Sequence, residues 1–186
     1  MVLSGFTLLV SRTAALFGQD FKKIIALSTL SQLSFIGVIL GAGLPKLALF
    51  HLITHAMFKS CLFMGAGSYL HLSQSNQDIR RRINIKHRWG NTLSIVLPIL
   101  SLAALPFTSG YYSKETILLS SIRGPLSALV RLILFTGAVF TILYRLRLIN
   151  SLRVVRSVSG ITLLFEDYGS LLSVMFVLML SLTIGF

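Results

Sequence analysis

At 186 residues, 54% of them hydrophobic and 12% charged, with a mean hydropathy of +0.84, the chain is too apolar for a water-soluble domain and reads as a polytopic, all-α membrane protein. About 20 residues per span allow about five or six helices in a single membrane domain covering 1–186. The net charge of +12 would suggest nucleic acid in a soluble protein, but these charges lie between apolar runs and are explained by topology; no nucleic acid partner is expected.

Residues 1–17 are apolar except for Arg12 and read as a short or partial helix without the basic start and cleavage site of a secretory leader. Asp20 is placed to cap the next helix, and Lys22 and Lys23 mark a membrane face. The span 24–40 carries Ser28, Thr29, Ser31, Gln32 and Ser34, too many small polar groups for a lipid-facing helix, so it is expected to pack against protein. Gly43 and Pro45 make a tight connection into the next span, 47–71.

That span carries His51, His55 and Lys59. A helix turns about 100° per residue, so the four-residue spacing stacks the three groups along one face, rising about 6 Å per step. A lysine at mid-bilayer costs roughly 2.5 to 3.5 kcal/mol on insertion scales, so it faces protein or water rather than lipid. Either histidine alone could be a packing residue between helices. The His-x-x-x-His spacing also suits a bridging metal, but Leu52, Ile53 and Thr54 intervene where a zinc protease needs its glutamate. A titratable ladder is the functional reading. Cys61, the one cysteine, lies in the same span and excludes an internal disulfide framework.

The loop 72–90 is polar and basic; it could touch anionic lipid or RNA, but it is read as setting topology. Residues 91–122 are too long for an untilted span and are interrupted at about 106–112, where Pro106 removes a helical donor and Gly110 permits an unwound turn. Lys114 and Glu115 follow directly. Transporters use such breaks to build sites for charge, the other reading being a surface turn with Lys114 in water. Spans at 126–149 and 169–186 complete the chain, the last expected to face lipid.

Charge discriminates between one broken crossing and two. If 91–122 crosses once, one face collects Lys22, Lys23, Arg80, Arg81, Arg82, Lys86, Arg88, Arg145, Arg147, Arg153 and Arg156, against Lys46, Arg123 and Arg131 on the other. A hairpin would move the Arg145–Arg156 group across and equalise the faces. The positive-inside rule therefore favours a single broken crossing, with 20–23, 73–90 and 145–160 on one side.

The runs DFKKIIALSTLSQLSF at 20–35, LALFHLITHAMFKSCLFMGAGSYLH at 47–71, NQDIRR at 76–81 and LPFTSGYYSKE at 105–115 resemble, in order and spacing, the antiporter-like subunits of respiratory complex I, the NADH dehydrogenase subunit 5 family in particular. The resemblance implies the second of two inverted five-helix repeats, each built around a broken helix. It implies that His51, His55 and Lys59 carry protons toward the centre of the membrane arm, and that Lys114, with Glu115 beside it, belongs to the exit path. It further implies a multi-pass location in the mitochondrial inner membrane, or alternatively a bacterial plasma membrane, with the basic face toward the matrix. The chain lacks the family's first repeat and lateral helix and is read as the C-terminal part of a split subunit, or a truncated form.

The expected role is a non-redox, proton-translocating part of NADH:ubiquinone oxidoreductase. The chain shows no flavin fingerprint, iron–sulfur cysteine set or Gly-rich nucleotide loop, so flavin, iron–sulfur clusters and quinone are expected in partner subunits. Expected partners are other membrane-arm subunits, a separate chain carrying the missing N-terminal half, and lipid. The alternatives are a subunit of a multisubunit sodium/proton antiporter, and a haem-binding anchor using His51 or His55.

Overall fold

The computed structural model describes residues 1–72, 78–79, 89–104, 106, 108–123, 128–153, 172, 174–176 and 179–180. They form six helices: α1 (Val2–Phe17), α2 (Phe21–Gly41), α3 (Pro45–Leu72), α4 (Trp89–Leu102), α5 (Ser109–Arg123) and α6 (Ala128–Arg153). Within α2, α3 and α6 lie stretches long and apolar enough to cross a membrane. The 21 residues of α2 rise about 31 Å, the thickness of a bilayer's hydrocarbon core. The expected helix at 169–186 falls largely outside the described residues; Leu172, Val174–Phe176, Met179 and Leu180 are helical, all exposed except Val174. Most of the loop 72–90 and the linker after Arg153 also lie outside them.

Each helix buries a stripe at three- and four-residue intervals, as an amphipathic helix must: Gly5, Leu8, Ser11, Arg12 and Ala15 on α1, and Ala48, His51, His55, Phe58, Lys59 and Leu62 on α3. On α2 the buried side includes Ser28, Ser31, Gln32 and Ser34, so this helix does pack against protein. Gly43, at φ +78°, takes the left-handed turn that glycine adopts at no steric cost, and Pro45 opens α3 where its missing N–H is harmless.

Asp20 occupies the N-cap position of α2 but makes no side-chain cap hydrogen bond. Its carboxylate instead takes the Lys23 ammonium at 2.7 Å. The ionic contact one turn away outcompetes the neutral backbone donors. The Ile79 N–H donates to the Gln19 carbonyl at 3.0 Å, so the turn before α2 and the segment after α3 lie together at one end.

The register along α3 distinguishes one crossing from two. Gly65 lies against Ser94 and Ile95, Phe58 against Gly110, and His51 against Ser113. Going backwards along α3 the partners advance steadily through α4 and α5, so 91–122 runs once, antiparallel to α3, and is broken midway. The break is earlier than 106–112: α4 ends at Leu102, Ala104 adopts φ +65°, and 109–112 are already helical. The Thr108 carbonyl accepts the Tyr111 N–H at 2.9 Å, so the helix restarts as soon as Pro106 is passed. Arg145 is also corrected. It is buried within α6 rather than displayed on a loop and leaves the charge tally, whose asymmetry stands on the remaining residues. Cysteines replacing Lys23 and Lys46, both exposed at opposite ends of α2 and its turn, should label from opposite sides of the membrane, with buried Cys61 silent; labelling from one side would refute this topology.

Candidate functional site: a polar layer across the bundle

Two apolar cores occupy the two halves of the bundle. One joins Ala15, Ile24, Ile25, Phe58, Leu62, Ile95, Tyr144 and Leu148; the other joins Leu8, Phe35, Ile39, Ala48, Ile117 and Leu134. Between them the packed helices turn polar: Ser11 and Arg12 on α1, Ser28, Ser31 and Gln32 on α2, His51, Thr54 and His55 on α3, Ser101 on α4, Ser109 and Ser113 on α5, and Thr141 on α6, all buried. The ladder is thus one edge of a transverse polar layer. Buried polar groups at mid-membrane are costly unless satisfied, so such a layer marks a route or a site.

His51 is held at both nitrogens: Nε2 lies 3.2 Å from Gln32 Oε1 and Nδ1 lies 3.0 Å from Ser113 Oγ. An amide oxygen only accepts, so in the neutral ring Nε2 carries the proton and Nδ1 accepts from Ser113. A second proton on the ring would turn the Ser113 hydroxyl to the Gly110 carbonyl, 3.3 Å away. His51 and His55 stack with centroids 6.2 Å apart, beyond direct hydrogen-bond reach, and His55 Nε2 has no partner. One turn on, the Lys59 ammonium donates to the Ile25 carbonyl at 2.9 Å and to Ser28 Oγ. These acceptors on α2 hold it without a carboxylate.

Lys114 lies in the second turn of α5 and reaches back over the break to donate to the Leu102 carbonyl at 2.6 Å. The last carbonyls of α4 have no helical partner and carry its negative dipole end, so the break itself supplies the acceptor. Glu115 does not join it. It points about 100° round the helix, on the side of Tyr111 one turn earlier. Both residues line a cleft of ≈ 320 Å³ between α5 and α6, with Ala104, Leu118 and Phe135. The structure therefore gathers His51, His55 and Lys59 on one face of α3, brings Ser113 of α5 onto it, and sets Lys114 and Glu115 apart at the cleft.

Sequence reading did not weigh Gln32 and Ser113 as partners of His51, nor the buried charges of Arg12 and Arg145. An arginine in an apolar run was the available signal for Arg12; Arg145 was masked by its proximity to a basic linker. Among the described residues no three of His, Cys, Asp and Glu gather as a metal site would require.

Fold and site together define a helical membrane subunit with a buried basic ladder and a broken crossing. Residues 1–141 match the NADH:quinone oxidoreductase/Mrp antiporter transmembrane family, and the chain belongs to it. It is 40% identical over 153 residues to NADH-ubiquinone oxidoreductase chain 5 of Mytilus edulis, covering 81% of this chain and 27% of that one. To the chain 5 protein of Cryphonectria parasitica it is 41% identical over 175 residues, covering 92% and 25%. The chain thus spans about a quarter of the length of these relatives. A chain of respiratory complex I from Thermus thermophilus, solved with bound NADH, superposes with a TM-score of 0.81 at 21% identity, over 96% of this chain and 39% of that one. It shares the fold.

Proposed function

We propose that the chain is part of a proton-translocating membrane subunit of NADH:ubiquinone oxidoreductase in the mitochondrial inner membrane, working with other membrane-arm subunits and with a chain that carries the N-terminal half. The observation that carries this reading is the run of exchangeable groups through the polar layer: Lys59, His55, His51 and Ser113, with Lys114 beyond them on α5. Histidine suits a relay because its two nitrogens exchange protons near neutral pH, and a lysine held only by neutral acceptors can give one up. A proton passing between the two imidazoles crosses through an intervening water, given their separation. Lys114 exchanges toward the cleft, which Glu115 and Tyr111 also line. Flavin, iron–sulfur clusters and quinone belong to the partner subunits, and the electron chemistry with them. The family also includes Mrp antiporters, so a sodium/proton antiporter subunit is the second reading.

Mass spectrometry of the intact membrane assembly separates the two. The first reading expects this chain alongside quinone-reducing subunits and a chain supplying the first repeat. Recovery with small antiporter subunits alone would replace it by the second.

A further inference from the structure

The polar layer ends sideways in arginine at α1 and at α6. Arg12 is 1% exposed and Arg145 3%, and Nε and Nη1 of Arg12 and both Nη atoms of Arg145 have no hydrogen-bond partner. The Arg12 guanidinium sits 5.6 Å over the Phe35 ring, and that ring meets His51 edge-on at 5.4 Å. Its Nη1 fills a notch in α6 left by Gly137, where a single added methyl would collide with it. Arg145 follows the layer's Thr141 by one turn of α6, its guanidinium 5.5 Å from the centroid of the Tyr144 ring. Beyond the two guanidiniums, the outer faces of α1 and α6 expose Leu3, Phe6, Val10, Leu132, Val139 and Leu143, an apolar surface that suits lipid or a neighbouring membrane helix.

We propose that Arg12 and Arg145 form a proton-exclusion wall that closes the layer at α1 and α6 and keeps protons on the route along α3 and α5. The proposal rests on the proton-path reading above. A proton wire needs groups that both accept and donate; a guanidinium only donates and stays charged, so a hydrogen-bonded chain arriving at it has no onward acceptor. His55 Nε2 and Gln32 Nε2 are also without a partner, so the ladder has open hydrogen-bonding positions that a water chain can extend. Fixed arginines exclude protons from water-conducting pores in the same way. The Phe35 contacts place the Arg12 charge within about 11 Å of the His51 ring, where at an interior permittivity of about 20 one unit charge disfavours a neighbouring proton roughly tenfold. Arg12 is a positioning residue in this scheme, and Gly137 acts through it.

The readout is passive proton influx into vesicles carrying the assembled complex, driven by an imposed pH gradient without NADH. Influx should rise about tenfold in Arg12→Gln, the size of the lost electrostatic barrier, and stay at the wild-type level in Arg12→Lys, which keeps the charge. Gly137→Ala keeps both charges and displaces only the flexible end of Arg12, so it should stay near the wild-type level, as Arg12→Lys does. Adding Lys59→Met to Arg12→Gln should return influx to normal, because the escaping proton comes from the ladder. Tight vesicles in Arg12→Gln, or an equal leak in Arg12→Gln and Arg12→Lys, with normal assembly, overturn the wall; if Lys59→Met still abolishes pumping, the proton path stands without it. A leak that Lys59→Met leaves untouched overturns the wall, and the path falls with it only if Lys59→Met also pumps normally. If Arg12→Gln does not assemble, influx in Arg12→Met, which removes the charge and keeps the apolar stem, decides by the same criteria.

Discussion

Replacing Lys59 or Lys114 by methionine is expected to slow the proton step by roughly a hundredfold or more, as removal of a positioned proton-transfer group does, while leaving assembly largely intact. Methionine keeps much of the side-chain volume, so a packing role survives the exchange and a charge role does not. The local cost is modest. In Lys59→Met the Ile25 carbonyl and Ser28 lose their donor, and in Lys114→Met the Leu102 carbonyl loses its own; an unmet buried acceptor costs about 1 to 3 kcal/mol. Lys59→Arg adds a sharper test, since arginine keeps the charge but does not release its proton. Loss of transport in both Lys59→Met and Lys59→Arg identifies proton exchange as the requirement, whereas recovery in Lys59→Arg identifies charge alone. The measurement is protons translocated per electron pair in vesicles holding the whole complex. A normal ratio in Lys59→Met and Lys114→Met would falsify the relay assignment and leave the topology untouched.

Gly110→Val should be the most damaging substitution at the break. A Cβ at Gly110 collides with the Ser101 carbonyl, with Phe58 close behind at 3.7 Å. The obstruction is backbone rather than the end of a flexible side chain, so α5 must move away from α4. Overpacking of this kind costs about 1 to 3 kcal/mol, and here it also pulls Lys114 from the Leu102 carbonyl and Ser113 from His51. Lower yield of assembled complex, a reduced midpoint of thermal unfolding and lost pumping should therefore appear together. Gly67→Ala is the control, because nothing lies within 4 Å of the added methyl, and alanine in place of a helical glycine gains about 0.5 to 1 kcal/mol. Equal tolerance of Gly110→Val and Gly67→Ala would show that α4 and α5 do not meet as closely as described.

The ladder was legible in the amino-acid order because it is local: His51, His55 and Lys59 share a face in any α-helix, whatever surrounds it. The single broken crossing was legible for a similar reason, since loop charge reports topology without knowledge of packing. Depth and pairing were not. That Gln32 and Ser113 grip the two nitrogens of His51 depends on how α2 and α5 lean on α3. Lys114 and Glu115 are neighbours in the chain, yet they part because successive helical residues point about 100° apart and the α4 terminus offers its carbonyl to only one of them. Arg12 and Arg145 are separated by most of the chain and looked like a stray charge and a loop anchor. Only the packing of α1 against α6, made close by the missing side chain at Gly137, brings both guanidiniums to the edge of a polar layer that no single helix contains.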